Sequence, residues 1–349
     1  MDDEIPHEKR WTLIILIGCL SMFMAEVFAG SSQMWFIDIW SLLVTFWLYL
    51  GHLLLFLNLA MRKKRTSIPQ LYLWGVLFAL YESWVTKVLW AGYPGSEGPA
   101  IALVGGIAIL EFSTLVFFWH PILAFIMPIL VYESFTLSNE SPLPLEKKIF
   151  ISHLPYLKKG KKKFLYFYLF LILTGATILS FNTGYNVVVA AIAIIGSIGL
   201  IYLFYKLSNK KNPNSFSIYS LRLGKKGLTI VFIYIGLLYL ITFFVLLPER
   251  IPTSIVPFLV IIGFYAFIGI ILQFSKPKEE TRFEEFSVTE TEIYNSKFFF
   301  KLYGILLILT IVFCLIPPIA IIFTIIIFIG IFLIAPIFFI LFLIKALKQ

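Results

Sequence analysis

The chain has 349 residues, of which 60% are hydrophobic and only 13% carry a charge. Its long stretches are apolar around the whole helical circumference, which excludes an ordinary soluble domain because such a fold could not bury them. The net charge of +9 does not indicate nucleic-acid binding, since the basic residues lie in short runs beside apolar segments. In that position they set membrane orientation and contact anionic lipid headgroups.

The apolar runs are about 18 to 27 residues long, and a helix needs about 20 such residues to cross a bilayer. The predicted fold class is therefore all-α, a polytopic transmembrane helix bundle of about ten spans plus one re-entrant or interfacial helix. The predicted spans are residues 11 to 28, 36 to 60, 69 to 92, 100 to 119, 164 to 182, 185 to 206, 227 to 247, 254 to 273, 298 to 316 and 319 to 345.

The apolar piece at residues 121 to 138 is the predicted re-entrant or interfacial helix. It begins at Pro121 and is interrupted again by Pro128, and a proline inside a helix bends it. Reading this piece as an eleventh span would place the lysine-rich loop that follows on the outer side of the membrane. The distribution of charge therefore favours a helix that enters the membrane and returns.

Positively charged loops predict which side of the membrane each connection occupies. With both termini cytoplasmic, only Lys87 and Arg250 of the 28 Lys and Arg residues fall outside the cytoplasmic segments. The sequence therefore predicts a multi-pass membrane protein, in the plasma membrane if the protein is prokaryotic. The first run resembles a signal peptide, but the acidic start Asp2-Asp3-Glu4 favours its retention as a span.

Three regions are predicted along the chain. Residues 1 to 138 form an N-terminal membrane module with polar intramembrane residues, and residues 139 to 163 form a basic cytoplasmic loop. Residues 164 to 349 form three apolar helical hairpins, which recur every 65 to 70 residues or so, as internal repeats do. Either a true duplication or the general likeness of lipid-facing hairpins explains this spacing.

Every acidic residue at predicted membrane depth lies before residue 134, whereas the later hairpins hold no acid and no histidine within their spans. An ionisable group in the bilayer costs at least a few kcal/mol, so it usually faces a cavity or a partner. The sequence therefore predicts any intramembrane site in the first 135 residues. The candidate binding or translocation residues are Glu82, Glu111, His52, Lys87, Glu26, Asp38, His120 and Glu133.

The helical rise places Glu82, Glu111 and His52 at a similar depth. Two carboxylates and an imidazole at one depth can share a proton or bind a cation. On a straight helix Lys87 would point about 140° away from Glu82, so each group is expected to find its partner elsewhere. No metal-ligand spacing and no cofactor motif is present, so neither a metal nor a cofactor is predicted, and no catalytic residue is assigned.

Three functions remain open at this point. The first is a transporter or ion-translocating protein with a polar site at the membrane midplane. The second is an intramembrane lipid-modifying enzyme, with Glu82 or Glu111 as the base and His52 or His120 as its partner. The third is a non-catalytic scaffold or subunit. The expected partners are membrane lipids and a small solute, proton or cation, whereas the oligomeric state is not indicated.

Overall fold

The computed structural model describes residues 10–93, 95–96, 98–139, 142–160, 162–277 and 292–348. Among these residues, eight helices are long and apolar enough to cross a membrane, and Trp11–Val27 is apolar but shorter. The predicted all-α helical membrane bundle is thereby confirmed. The acidic start at Asp2 to Glu4, which favoured retention of the first span, lies outside the described residues, as do residues 278 to 291 before the third hairpin.

The secondary structure is almost entirely helical. The helices are α1 (Trp11–Val27), α2 (Ser41–Arg62), α3 (Ile68–Ala79), α4 (Tyr81–Trp84), α5 (Val88–Ala91), α6 (Ile109–Leu137), α7 (Leu145–Lys148), α8 (Leu154–Leu157), α9 (Lys162–Asn182), α10 (Val187–Lys211), α11 (Lys225–Val245), α12 (Val256–Phe274), α13 (Ser296–Leu315) and α14 (Pro317–Leu347). Three short 3-10 turns cover Ile151–His153, Ile218–Leu221 and Pro248–Arg250, and a two-residue hairpin joins β1 (Leu103–Val104) to β2 (Ile107–Ala108).

The chain divides into two compact units. Unit 1 consists of Met1–Leu50, Met127–Arg222 and Glu280–Ile327, and unit 2 consists of Gly51–Ile126, Leu223–Glu279 and Phe328–Gln349. The helices α2, α6 and α14 therefore contribute one part to each unit.

Unit 1 is built around α1, α9, α10 and α13. Helix α9 packs along α13, while α10 packs against both α1 and α13. Two of these contacts depend on glycine, because a Cβ atom at Gly175 would lie 2.5 Å from the ring of Phe28, and one at Gly196 would lie 2.1 Å from the ring of Phe36. Small residues allow this close approach between membrane helices.

Unit 2 is built around α3, which packs along the π-helical part of α6, Phe112–Ile126. A capping box between Ser67 and Gln70 begins α3, satisfying two backbone groups at its first turn. Gly75 lets α3 pass directly over Pro121, since a Cβ atom there would lie 2.7 Å from the Pro121 Cα. Helix α12 packs against α3, and α11 packs against α4.

The helices differ strongly in how much of their surface the protein covers. In the most apolar window of α6, 94% of the residues are buried, whereas the corresponding figure for α11 is 11%. The exposed side chains of α11 are large and apolar, with Phe232 67% exposed and Val245 74% exposed. Hydrocarbon is the solvent that suits such a surface, as expected for a multi-pass membrane protein.

The structure corrects the predicted boundaries around Pro121. Instead of a span at 100 to 119 and a re-entrant helix at 121 to 138, α6 is one helix of 29 residues. The chain before it forms the small hairpin, with Gly105 and Gly106 both at positive φ. Pro121 does not end the helix because it lies in a π-helical stretch in which side chains bond to the backbone carbonyls. The His120 Nδ1 donates a hydrogen bond to Leu115 O. The Tyr72 hydroxyl donates one to Phe117 O. Side-chain donors of this kind stabilise the backbone around an intramembrane proline.

The predicted third span, residues 69 to 92, is also not one helix. It divides into α3, α4 and α5, and Lys87 takes a left-handed conformation with φ of 58°. The break follows from local polar contacts, because the Thr86 hydroxyl donates to the backbone oxygen and to the carboxylate of Glu82. Such side-chain bonds offer the backbone an alternative to the helical ladder.

Candidate functional site

Glu82 and His120 form a buried acid–imidazole pair in unit 2. The short helix α4 carries Glu82, and the π-helical part of α6 carries His120 one residue before Pro121. The Glu82 Oε1 lies 3.3 Å from the His120 Nε2. Only 7% of Glu82 and 1% of His120 is exposed, so the pair is held within the packed protein.

Neighbouring side chains fix the orientation of this pair. The Tyr81 hydroxyl lies 3.0 Å from the His120 Nε2, and it also interacts with the Glu82 carboxylate. The other ring nitrogen of His120, Nδ1, lies 3.2 Å from Leu115 O. Both nitrogens of the imidazole are therefore engaged, and the Thr86 hydroxyl holds the second carboxylate oxygen of Glu82.

His52 belongs to the same region but contacts a different partner. Its Nε2 lies 2.8 Å from the Tyr239 hydroxyl of α11, and its ring stacks on Phe78 with the centroids 5.0 Å apart. Tyr81 connects the two imidazoles, since its ring centroid lies 5.3 Å from that of His52 and 5.2 Å from that of His120. Tyr81 thus places His52 beside the pair.

Glu111, at the start of α6, is completely buried. Its Oε1 accepts a hydrogen bond of 2.8 Å from the backbone N–H of Ala100, whereas its Oε2 has no hydrogen-bond partner among the described residues. The phenol of Tyr93, in the loop before the β-hairpin, lies near both acids. Burial raises the pKa of Tyr93, and the carboxylates of Glu111 and Glu82 raise this pKa further.

Lys87 contacts backbone carbonyls rather than any of the predicted acids. Its Nζ donates to the oxygens of Thr242 and Leu246 at the end of α11, with the Thr242 contact at 2.7 Å. The ammonium also lies 5.5 Å from the centroid of the Phe243 ring. A cation at the C-terminal end of a helix compensates the unpaired carbonyls there, so Lys87 caps α11.

The three remaining candidates lie in unit 1. Glu133 is completely buried, with its Oε2 2.7 Å from the His153 Nδ1, and its Oε1 accepts from the Phe150 N–H at 2.8 Å. Glu26 accepts hydrogen bonds of 2.7 Å from the hydroxyls of Ser31 and Ser32. Asp38 is exposed and accepts from the Ser41 N–H at 2.7 Å. Hydrogen bonds from the Ser41 hydroxyl and from this N–H lower the pKa of the Asp38 carboxyl group.

Sequence reasoning missed several partners of these residues. Tyr239 lies 187 residues after His52 and His153 lies 20 residues after Glu133, and nothing in their local sequence marks them as partners. Tyr81 adjoins Glu82 directly in the sequence. This adjacency was the one local signal available, because tyrosines buried in a membrane protein usually hydrogen-bond to a neighbour.

A cavity of about 560 Å³ adjoins this site in unit 2. Its wall is mainly apolar, with a few polar groups. It is lined by His52, Leu55, Phe56, Leu59, Trp84, Leu228, Thr229, Phe232, Ile235, Tyr239 and Tyr265. A volume of this size is typical of sites for small molecules.

Comparison with known proteins places the chain in a family. A family model described as "Uncharacterized membrane protein family" matches residues 15–348. The chain belongs to this family. A protein of Archaeoglobus fulgidus described as "Uncharacterized protein" is 38% identical over 150 residues, which are 43% of this chain and 45% of that protein. The match thus spans less than half the length of this relative. No solved structure matches the chain.

Proposed function

We propose that this member of the family translocates protons, alone or coupled to a solute, through a polar site centred on Glu82 and His120. The single observation that carries the proposal is the 3.3 Å contact between the Glu82 Oε1 and the His120 Nε2 within the packed protein. Ionisable groups that persist in membrane helices commonly belong to proton relays.

We infer that Glu82 and His120 exchange one proton. Leu115 O can only accept, so its bond with the imidazole requires a proton on Nδ1. A bond between Nε2 and the Glu82 carboxylate then requires one further proton, because two bare acceptors cannot bond each other. With that proton bound, Glu82 and His120 form either an imidazolium with a carboxylate or an imidazole with a carboxylic acid. Release of that proton leaves an imidazole beside a carboxylate, in which the Tyr81 hydroxyl, 3.0 Å from Nε2, can donate to the ring, so the pair can take up a proton and release it.

Polar groups continue from the pair in two directions. On one side are Tyr93 and Glu111, whose buried carboxylate reaches the backbone of the loop at Ala100. On the other side, the Tyr81 ring contacts the His52 ring, and His52 is hydrogen-bonded to Tyr239 at the wall of the cavity. We infer a route for protons along this column of side chains.

The helix that carries Glu82 is interrupted, as helices at transport sites often are. The break between α4 and α5 places irregular backbone beside the pair, with Lys87 at its end. Interrupted helices are used in transporters where they line a site for substrate or ions. The location of this break, next to the only acid–imidazole contact of unit 2 within the described residues, supports the proposal.

A flux assay tests the proposal directly. The purified full-length protein is reconstituted in vesicles that contain a pH-sensitive dye, and a potassium gradient with valinomycin sets the membrane potential. We expect protein-dependent acidification that Glu82→Gln and His120→Ala each reduce at least about a hundredfold, the lower end of the effect of a positioned proton-transfer group. Glu133→Gln alters the buried acid of unit 1 and should leave the flux unchanged. Equal flux in the wild type and Glu82→Gln, or none in the wild type, would contradict the proposal.

A second candidate function is the modification of a lipid within the membrane, and the cavity beside His52 is the observation that favours it. In that case the Glu82–His120 pair acts as a general base, and the cavity holds the apolar part of the substrate. Cells that express His120→Ala should then accumulate an unprocessed lipid that mass spectrometry detects. Unchanged lipid profiles in His120→Ala and Glu82→Gln cells would exclude this function.

A further inference from the structure

The cavity beside His52 extends along the helices α2 and α11. Asn58 Oδ1 accepts from the Leu223 N–H at 2.6 Å, and Arg62 donates to Leu223 O at 2.8 Å, while His52 contacts Tyr239. The end of α2 therefore meets the beginning of α11, and the two helices run antiparallel along the cavity. Its lining on α11 extends from residue 228 to residue 239, a length of about 16 Å at the helical rise.

One end of the cavity opens on the outer surface of unit 2. Thr229 is exposed and Phe232 is 67% exposed, although both line the cavity. Because α11 faces hydrocarbon along most of its length, this opening is accessible to lipid. Near His52 and Tyr239, the wall also contains the aromatic side chains of Trp84 and Tyr265.

Basic residues surround the open end. Lys225 and Lys226 are exposed in the first turn of α11, directly before the lining residues Leu228 and Thr229. Lys63 is exposed one turn after Leu59, the last lining residue of α2. Among the cavity's described lining residues there is no acid. The mouth thus presents cationic groups where a lipid headgroup would lie, with an apolar channel behind them.

We propose that this cavity binds an anionic lipid, with its phosphate against Lys63, Lys225 and Lys226 and one apolar chain extending toward His52. The match of charge at the mouth selects an anionic headgroup over a zwitterionic one, because each lysine near the membrane surface attracts negative charge. The apolar wall and the volume suit a single chain. This site differs from the Glu82–His120 pair, neither member of which lines the cavity.

Native mass spectrometry of the delipidated full-length protein tests the site. The probes are phosphatidylglycerol and phosphatidylcholine with identical chains. The wild type should retain phosphatidylglycerol preferentially. The double variant Lys225→Gln/Lys226→Gln should lower its affinity for phosphatidylglycerol about 25-fold, which is the contribution expected of two surface lysines, with little change for phosphatidylcholine. Lys210→Gln/Lys211→Gln, a matched pair at the end of α10 in unit 1, should retain wild-type affinity.

A second pair of variants tests the channel itself. Thr229→Trp places an indole at the opening and should prevent retention of both lipids, whereas Ile230→Trp places one at the neighbouring exposed position outside the cavity and should not. Both substitutions are at exposed positions, so neither disturbs the packed interior. Equal retention in the wild type, Thr229→Trp and the lysine variant would overturn the proposal. Displacement of the lipid by inorganic phosphate alone would also overturn it, because the site would then be one for free phosphate.

Discussion

The Glu133–His153 pair of unit 1 gives a quantitative prediction for stability. Both side chains are completely buried, and the 2.7 Å contact between the Glu133 Oε2 and the His153 Nδ1 is supported by the Phe150 N–H on the other carboxylate oxygen. His153→Ala removes one of the two hydrogen-bond partners of the buried Glu133 carboxyl group. Breaking a buried pair in this way costs about 3–5 kcal/mol, or roughly 10²- to 4 × 10³-fold in the unfolding equilibrium.

The variant Glu133→Gln should cost much less. The amide keeps an oxygen that accepts from the Phe150 N–H and removes the buried charge, so the expected loss is about 1 kcal/mol. For the same reason His153→Ala should cost about 2 kcal/mol less in the Glu133→Gln background than alone, and this difference is the coupling energy of the pair.

Equilibrium unfolding in mixed detergent micelles, followed by circular dichroism, measures these free energies. Asp38→Asn makes the same acid-to-amide change at an exposed position and should alter stability by no more than about 0.5 kcal/mol. The reasoning would be refuted if His153→Ala cost as little as Asp38→Asn, or if the two substitutions of the pair were additive.

Further predictions concern unit 2. Gly75→Ala should destabilise the protein by about 1–3 kcal/mol, because its Cβ would lie 2.7 Å from Pro121. Gly236→Ala, where the new Cβ meets open space, should be neutral or slightly stabilising. Thermal unfolding compares the two variants. Lys87→Met should cost about 2 kcal/mol, since it removes charged hydrogen bonds to two carbonyls, and hydrogen exchange should rise at the end of α11. Arg250→Gln should loosen the loop after α5, because the Arg250 guanidinium donates hydrogen bonds to Gly92 O and Tyr93 O at 2.8 and 3.1 Å. Hydrogen exchange should therefore rise in this loop. Unchanged exchange protection in Lys87→Met or in Arg250→Gln would contradict the assigned contacts.

The fold class follows from the sequence because apolar runs of sufficient length leave only membrane helices as a solution. The boundaries near Pro121 do not follow, because the continuity of α6 depends on a donor from Tyr72 that only packing against α3 supplies, and on the His120 ring, which bonds back to Leu115 within α6. The interruption after Glu82 is likewise a product of local side-chain bonds. A hydropathy pattern contains no information about either.

The candidate site was predictable in content but not in pairing. The cost of burying charge marks Glu82, Glu111 and Glu133 as residues that need partners. Depth along a helix grouped Glu82 with Glu111 and His52, and either His52 or His120 was open as the partner of the acid, whereas the structure places Glu82 against His120. Rotation about the helix axis decides which neighbour a side chain meets, and the break after α4 changes that rotation in a way that regular geometry does not predict.

Infrared difference spectroscopy of the reconstituted protein tests the central claim, that Glu82 and His120 share one exchangeable proton. A pH jump across the range in which the pair gains and loses its proton, with histidine isotopically labelled, should change a carboxyl band and an imidazole band together. Glu82→Gln and His120→Ala should each abolish both changes. An imidazole band that titrates unaltered in Glu82→Gln, or carboxyl bands that stay unchanged while His120 gains and loses its proton, would contradict the account.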